Sequence, residues 1–187
     1  MSDPNHTPAN EPLRPALVPE TLIAIPRVCL DCGDFGLLLP ATDLVSLTTA
    51  QQVIRREGDV PETCGSVLFQ DHHYLIFCLN NTLQLQQQIA EPHTTIALLH
   101  SDNHHFGITC LSLTKLEGEA SANYAIPPSM SSRRQPFNEF VVMNNRAWGL
   151  TSAAVLLDLL QGLLKTCDAR IQPQNSTNSS IRRGASL

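Results

Sequence analysis

A chain of 187 residues, 42% of them hydrophobic, is long enough to bury a real core in one domain or in two small, closely packed ones. Its formal charge of −5 argues against a general phosphate-binding surface, because nucleic-acid affinity rests on clustered Lys and Arg. No apolar run reaches the roughly 20 residues that span a bilayer, so neither nucleic-acid binding nor membrane insertion is expected. The N-terminal residues carry no hydrophobic signal region, which leads us to expect a cytoplasmic protein whose six cysteines stay reduced.

Residues 1–20 hold five of the 13 prolines and few large apolar side chains, and are predicted to form a disordered N-terminal arm. The folded domain is expected over residues 21–167. Its first elements are a hairpin, Val28–Asp31 and Phe35–Leu39, turning at Cys32-Gly33-Asp34 and closed by Pro40, then a strand at Leu44–Leu47. A second hairpin pairs Ser66–Phe69 with Tyr74–Leu79 around Gln70-Asp71-His72-His73. Gln84–Gln88 is polar and reads equally as a helix or a loop. A third hairpin pairs Thr95–His100 with Phe106–Leu113 around residues 101–105, and residues 118–138, with their Gly, Ser and prolines, read as an irregular connection. The last hairpin, Phe140–Met143 and Ala147–Leu150, turns on Asn144-Asn145-Arg146. Thr151-Ser152 then caps a helix running to about Lys165, with Leu156, Leu159, Leu160, Leu163 and Leu164 on one face. Residues 168–187, rich in Ser, Asn and Arg, read as a disordered tail. Short hairpins turning on polar residues predict curled or closed sheets.

The chemical motifs are weak. Cys29 and Cys32 spell C-x-x-C, but side chains three apart on a strand point to opposite faces, and the expected turn follows Cys32. No second pair completes the four ligands of a structural zinc site. The adjacent histidines, His72-His73 and His104-His105, diverge on a strand and are solvated in a turn. No nucleophile elbow, phosphate-binding loop or dinucleotide fingerprint is present. Cys64 and Cys78 flank the second hairpin and read first as small buried hydrophobes. Neither a catalytic residue nor a cofactor nor a small-molecule substrate is expected from these patterns.

The order of elements over residues 28–165 resembles the CheW-like family, the coupling proteins of bacterial chemosensory arrays. Family members carry a segment close to G-V-I-N-L-R-G-x-x-x-P-V-x-D-L. Laid on residues 65–79, it keeps Gly65, Val67, Phe69, Ile76 and Leu79. A second family segment, L-P-V-x-x-V-x-E-I, falls on residues 39–47, with Leu39 and Pro40 retained. Pro61 and Gly107 also stand where the family has proline and glycine, and FVVMNNRAWGLTSAAVLLDLL resembles its last strands and terminal helix.

The resemblance implies a mainly β fold of two small five-stranded β-barrel subdomains with a C-terminal helix. It implies a non-catalytic adaptor that couples a chemoreceptor to a CheA-type histidine kinase, in chemotaxis or in type IV pilus twitching motility. The family's arginine, however, falls at Gln70, the following glycine at Asp71, its proline at Leu75 and its aspartate at Cys78, while the earlier glutamate falls at Ser46. Losing an acidic and a basic residue together leaves neither buried without a partner, but it puts the usual docking contacts in doubt. Ser46, Gln70 and Asp71 are the candidate partner-binding residues. The competing expectation is a small thiol-dependent enzyme, or a redox or metal sensor, using Cys29/Cys32 or Cys64/Cys78 with a histidine.

Overall fold

Tight turns and alternating side chains give this chain its hairpins. In a computed structural model, residues 25–116, 123–126 and 135–171 are described. Strands β1 (Arg27–Asp31) and β2 (Gly36–Pro40) form the first hairpin. Its turn is held by the Cys32 N–H donating to the Phe35 carbonyl at 3.0 Å and the Gly33 N–H donating to the Asp31 carboxylate at 2.9 Å. Strand β3 (Leu44–Thr49) follows a short 3-10 turn. Strands β4 (Gly65–Phe69) and β5 (His72–Leu79) make the second hairpin, and β6 (Leu85–Gln86) adds to the end of β5. Strands β7 (Thr95–Ser101) and β8 (His104–Cys110) make the third. They are followed by β9 (Ser112–Leu116), β10 (Asn123–Ala125), the hairpin of β11 (Glu139–Met143) and β12 (Arg146–Leu150), and helix α1 (Ala153–Ile171).

The strands form two sheets. One runs β10-β11-β12-β2-β1-β9; the other runs β3-β7-β8-β5-β4, with β6 attached to β5. Each contains one parallel pair, β12 with β2 and β5 with β8, and is otherwise antiparallel. The second sheet curls: just beyond β3, Ile54 exchanges two 2.9 Å backbone hydrogen bonds with Ser66 of β4, joining the sheet's two edges. Residues 44–110 build this sheet without interruption, and the flanking segments on either side of it build the other.

The mainly β, two-unit fold with a C-terminal helix is the one expected, with six strands in each sheet where five were implied. The additions are small: two-residue β6, in the stretch left open between helix and loop, and three-residue β10, inside the connection read as irregular. The strand expected over Phe106–Leu113 is also interrupted. It breaks at Leu111, whose N–H donates to the Asp31 carbonyl at 2.7 Å as the chain crosses from one sheet to the other. The arm predicted over 1–20 lies outside the described residues, as does the tail predicted over 168–187 except for residues 168–171, which are helical instead. Helix α1 runs to Ile171.

The main core lies between the sheets. Leu30, Leu37 and Leu39 from the first meet Phe77, Leu99, Phe106 and Ile108 from the second, and Leu156 and Leu160 of α1 cover them. Burying each such side chain contributes about 1.5–3 kcal/mol. A second cluster, with Val67, Tyr74, Ile76, Ile96 and Leu98, belongs to the curled sheet. A third, around Leu38 and Val141, packs beneath Trp148. The central run Ile96–Leu99 is buried on both faces, which is why β7 shows no polar alternation.

Candidate docking surface and a buried thiol cluster

Gln70 and Asp71 are the two residues of the β4–β5 turn, and both have left-handed backbones, at φ 48° and 64°. That is the twist a two-residue hairpin turn needs. It is normally given to Asn and Gly, and Gln tolerates it poorly. Both side chains are exposed, and among the described residues neither makes a side-chain hydrogen bond or ion pair. The turn is two residues shorter than expected, so His72 and His73 lie on β5. Likewise His104 and His105 lie on β8, because the third hairpin turns on Asp102-Asn103 alone.

These strand positions bring the two histidine pairs together. The rings of His72 and His105 stack at 4.2 Å between centroids, with Tyr74 5.1 Å from His105. Burial holds His105 below the usual imidazole range, helped by the neighbouring His72, His100 and His104. Among the described residues, no three His, Cys, Asp or Glu side chains are arranged to hold a metal ion.

Ser46 sits on β3 opposite Leu98, just past an irregularity after Leu44. It is half-buried, and its hydroxyl donates to the Leu47 carbonyl at 3.5 Å. No hydrogen bond joins it to Gln70 or Asp71, so the three predicted residues do not form one constellation. The exposed positions on this edge are its neighbours Val45 and Leu47. Ile54 and Leu68 are more than half exposed on the adjoining edge, at 57% and 55%. A sheet whose exposed positions carry apolar side chains is suited to contact another chain.

The cysteines separate into two kinds. Cys29 packs with Leu38 and Val141 on one side of β1, whereas Cys32 joins the main core, so the C-x-x-C pair diverges as strand geometry requires. Burial pushes the thiols of Cys29, Cys32 and Cys110 up, that of Cys110 to about 12. Cys64 and Cys78 are different. They lie in one buried cluster with Tyr74 and Ile76, and the Cys78 sulfur meets His93, whose Nδ1 lies 3.7 Å away. Nδ1 of His93 is 3.0 Å from Thr109 Oγ1. The Cys64 thiol donates to the Gln86 carbonyl at 3.4 Å, and Cys78 Sγ lies 3.5 Å from Gln86 Oε1.

The neighbouring Cys64 side chain lowers the Cys78 thiol, against burial, and Thr109, Ala90 and His93 act in the same direction. The Cys78 side chain, with burial, raises Cys64. His93 had no place in the sequence reading. It stands 15 residues from Cys78 and reaches it only because β5 and the segment before β7 converge.

No family model matches the sequence, and no curated protein matches it. Among solved structures, the chain is similar to the scaffolding protein TtCheW from Thermoanaerobacter tengcongensis, with a TM-score of 0.53 at 8% identity. The likeness covers 67% of this chain and 86% of that one. The fold is CheW-like. The expectation drawn from Gly65, Leu79 and the order of hairpins therefore holds for architecture. In this CheW-like frame, Gln70 and Asp71 occupy a hairpin tip and Ser46 an edge strand of the same sheet. Among the described residues, no helix is long and apolar enough to cross a membrane.

Proposed function

We propose that this chain is a non-catalytic cytoplasmic adaptor that couples a chemoreceptor to a CheA-type histidine kinase, in chemotaxis or in type IV pilus twitching motility. The observation that carries this reading is the CheW-like fold, found together with exposed apolar side chains on β3, β4 and the segment between them. An adaptor works by shape and by a few buried apolar anchors, so it needs no catalytic constellation. Val45 and Leu47 are the anchors on the β3 edge, with Ser46 between them. Gln70 and Asp71 present polar groups at the turn, which set partner choice more than affinity.

The test is a pull-down of the full chain with the regulatory domain of the kinase and with receptor tips from the same organism. The reading expects binding to at least one of them. It also expects Asp71→Arg to weaken that binding while stability changes by no more than about 0.5 kcal/mol, as for most exposed sites. Folded protein that binds none of these partners would overturn the adaptor reading. A large stability loss with binding intact would make Asp71 a structural residue.

A further inference from the structure

The donor set around Cys78 differs from that of every other described cysteine. Cys29, Cys32 and Cys110 are buried among apolar neighbours or meet backbone groups, an environment that keeps a thiol protonated and inert. The Cys78 sulfur shares its cluster with a second thiol, Cys64, and has an imidazole nitrogen of His93 3.7 Å away and the side-chain oxygen of Gln86 3.5 Å away. Hydrogen bonds to the charged form favour it, and the thiolate is the nucleophile. The resolving group is in the same buried cluster, and both sulfurs bond Gln86, Cys64 at its carbonyl (3.4 Å) and Cys78 at its side-chain oxygen (3.5 Å). Cys64 lies at the rim of the cluster, 9% exposed, whereas Cys78 is fully covered. The cover is the segment 86–90, bonded to both sulfurs through Gln86 and packed on the cluster through Ile89 and Ala90. A surface recess lined by residues 86–91 opens on this segment.

We propose that Cys78 and Cys64 are a modification site, a dithiol that hydrogen peroxide or another small hydroperoxide closes to a disulfide. In the first step the Cys78 thiolate attacks one peroxide oxygen. The S–O bond forms, the O–O bond breaks, and the sulfur becomes a sulfenic acid as hydroxide leaves and takes up a proton to become water. In the second step the Cys64 sulfur attacks the Cys78 sulfur, the S–S bond forms, and the sulfenic oxygen leaves as water with the proton released from Cys64. Two thiols are oxidised by two electrons in all, and one peroxide is reduced to two waters. His93 and Thr109 are positioning residues that hold the attacking sulfur. The proposal stands on the cluster alone and is independent of the adaptor reading.

Wild-type full-length protein is exposed to hydrogen peroxide under native conditions, quenched by alkylation and mapped by peptide mass. The Cys64–Cys78 disulfide is expected to form before oxidation at Cys29, Cys32 or Cys110, and dithiothreitol should reverse it. Cys29, Cys32 and Cys110 serve as references inside the same folded molecule, so the comparison needs no variant. In Cys64→Ser, the sulfenic acid should persist on Cys78 and be trapped by dimedone. Cys78 oxidising no faster than Cys32 and Cys110 in the wild type, or oxidising without linkage to Cys64, would overturn the proposal.

Discussion

Arg146 reaches from the last hairpin to Asp31 of the first, its Nη1 2.9 Å from the carboxylate. Its other terminal nitrogen donates to the Gly33 carbonyl, and the guanidinium lies 5.0 Å from the centre of the Trp148 ring. One side chain thus fastens two hairpins separated by more than a hundred residues. Burial would raise the Asp31 carboxyl, but Arg146 and the Gly33 N–H outweigh it and hold it below its usual range. A carboxylate lowered in the folded state stabilises the fold fully above its unfolded value, and that contribution is lost as pH falls through the folded value. Both side chains are partly exposed, so the pair contributes only about 1 kcal/mol. Asp31→Asn should lower stability by that amount at neutral pH. The gap from wild type should close on acidification, as read by urea unfolding at several pH values. A gap that stays constant into acid would mean that the charge of Asp31 contributes nothing.

The Asp43 carboxylate accepts the Ala153 N–H at 2.7 Å, satisfying a free donor at the start of α1, while Ser152 Oγ accepts the Val155 N–H at 3.3 Å. Loss of a helix cap costs about 1 kcal/mol. Asp43→Ala should therefore lower the unfolding free energy by about that much, and Asp43→Asn, which keeps an acceptor, by less.

Gly65 has a φ of 132°, and a Cβ there would lie 2.8 Å from the Ile54 carbonyl oxygen. The obstacle is backbone on the strand-closing bridge, which cannot rotate away. Gly65→Ala should destabilise the fold by about 2–3 kcal/mol, from the strained backbone and the contact together, as measured by thermal unfolding. This glycine stands where the sheet edges meet, at the Ile54–Ser66 bridge.

Gln70 at φ 48° holds a conformation that Asn adopts more readily. Gln70→Asn should raise stability by about 0.5–1 kcal/mol. If the turn docks a partner, the same change should weaken binding while the melting temperature rises. A variant that loses both would show that Gln70 is needed by the turn itself.

Hairpins and helix were legible because their signals are local: strand-length apolar runs, turn residues, and leucines at helical spacing. Turn lengths were less so. Gln-Asp and Asp-Asn do not announce left-handed pairs as Asn-Gly does, and extending each turn displaced the histidines from the strands where they stack. The Cys78–His93 contact and the Asp31–Arg146 pair were not legible. Both join residues that only the assembled sheets bring together. Ser46 is on the strand expected for it, but the alternation of side chains along β3 leaves Val45 and Leu47 as its exposed neighbours.

The nesting of one sheet inside the other bears on how the chain folds as it is made. Residues 44–110 complete the curled sheet from contacts among themselves, so that unit can form while the rest is still being synthesised. Strands β1 and β2 emerge first but must wait for β9 and β12 before their outer edges are paired. Closing so long a loop is entropically costly and slow. The early hairpin is therefore the part of the molecule with unpaired edges for longest, and the last two strands determine when that exposure ends.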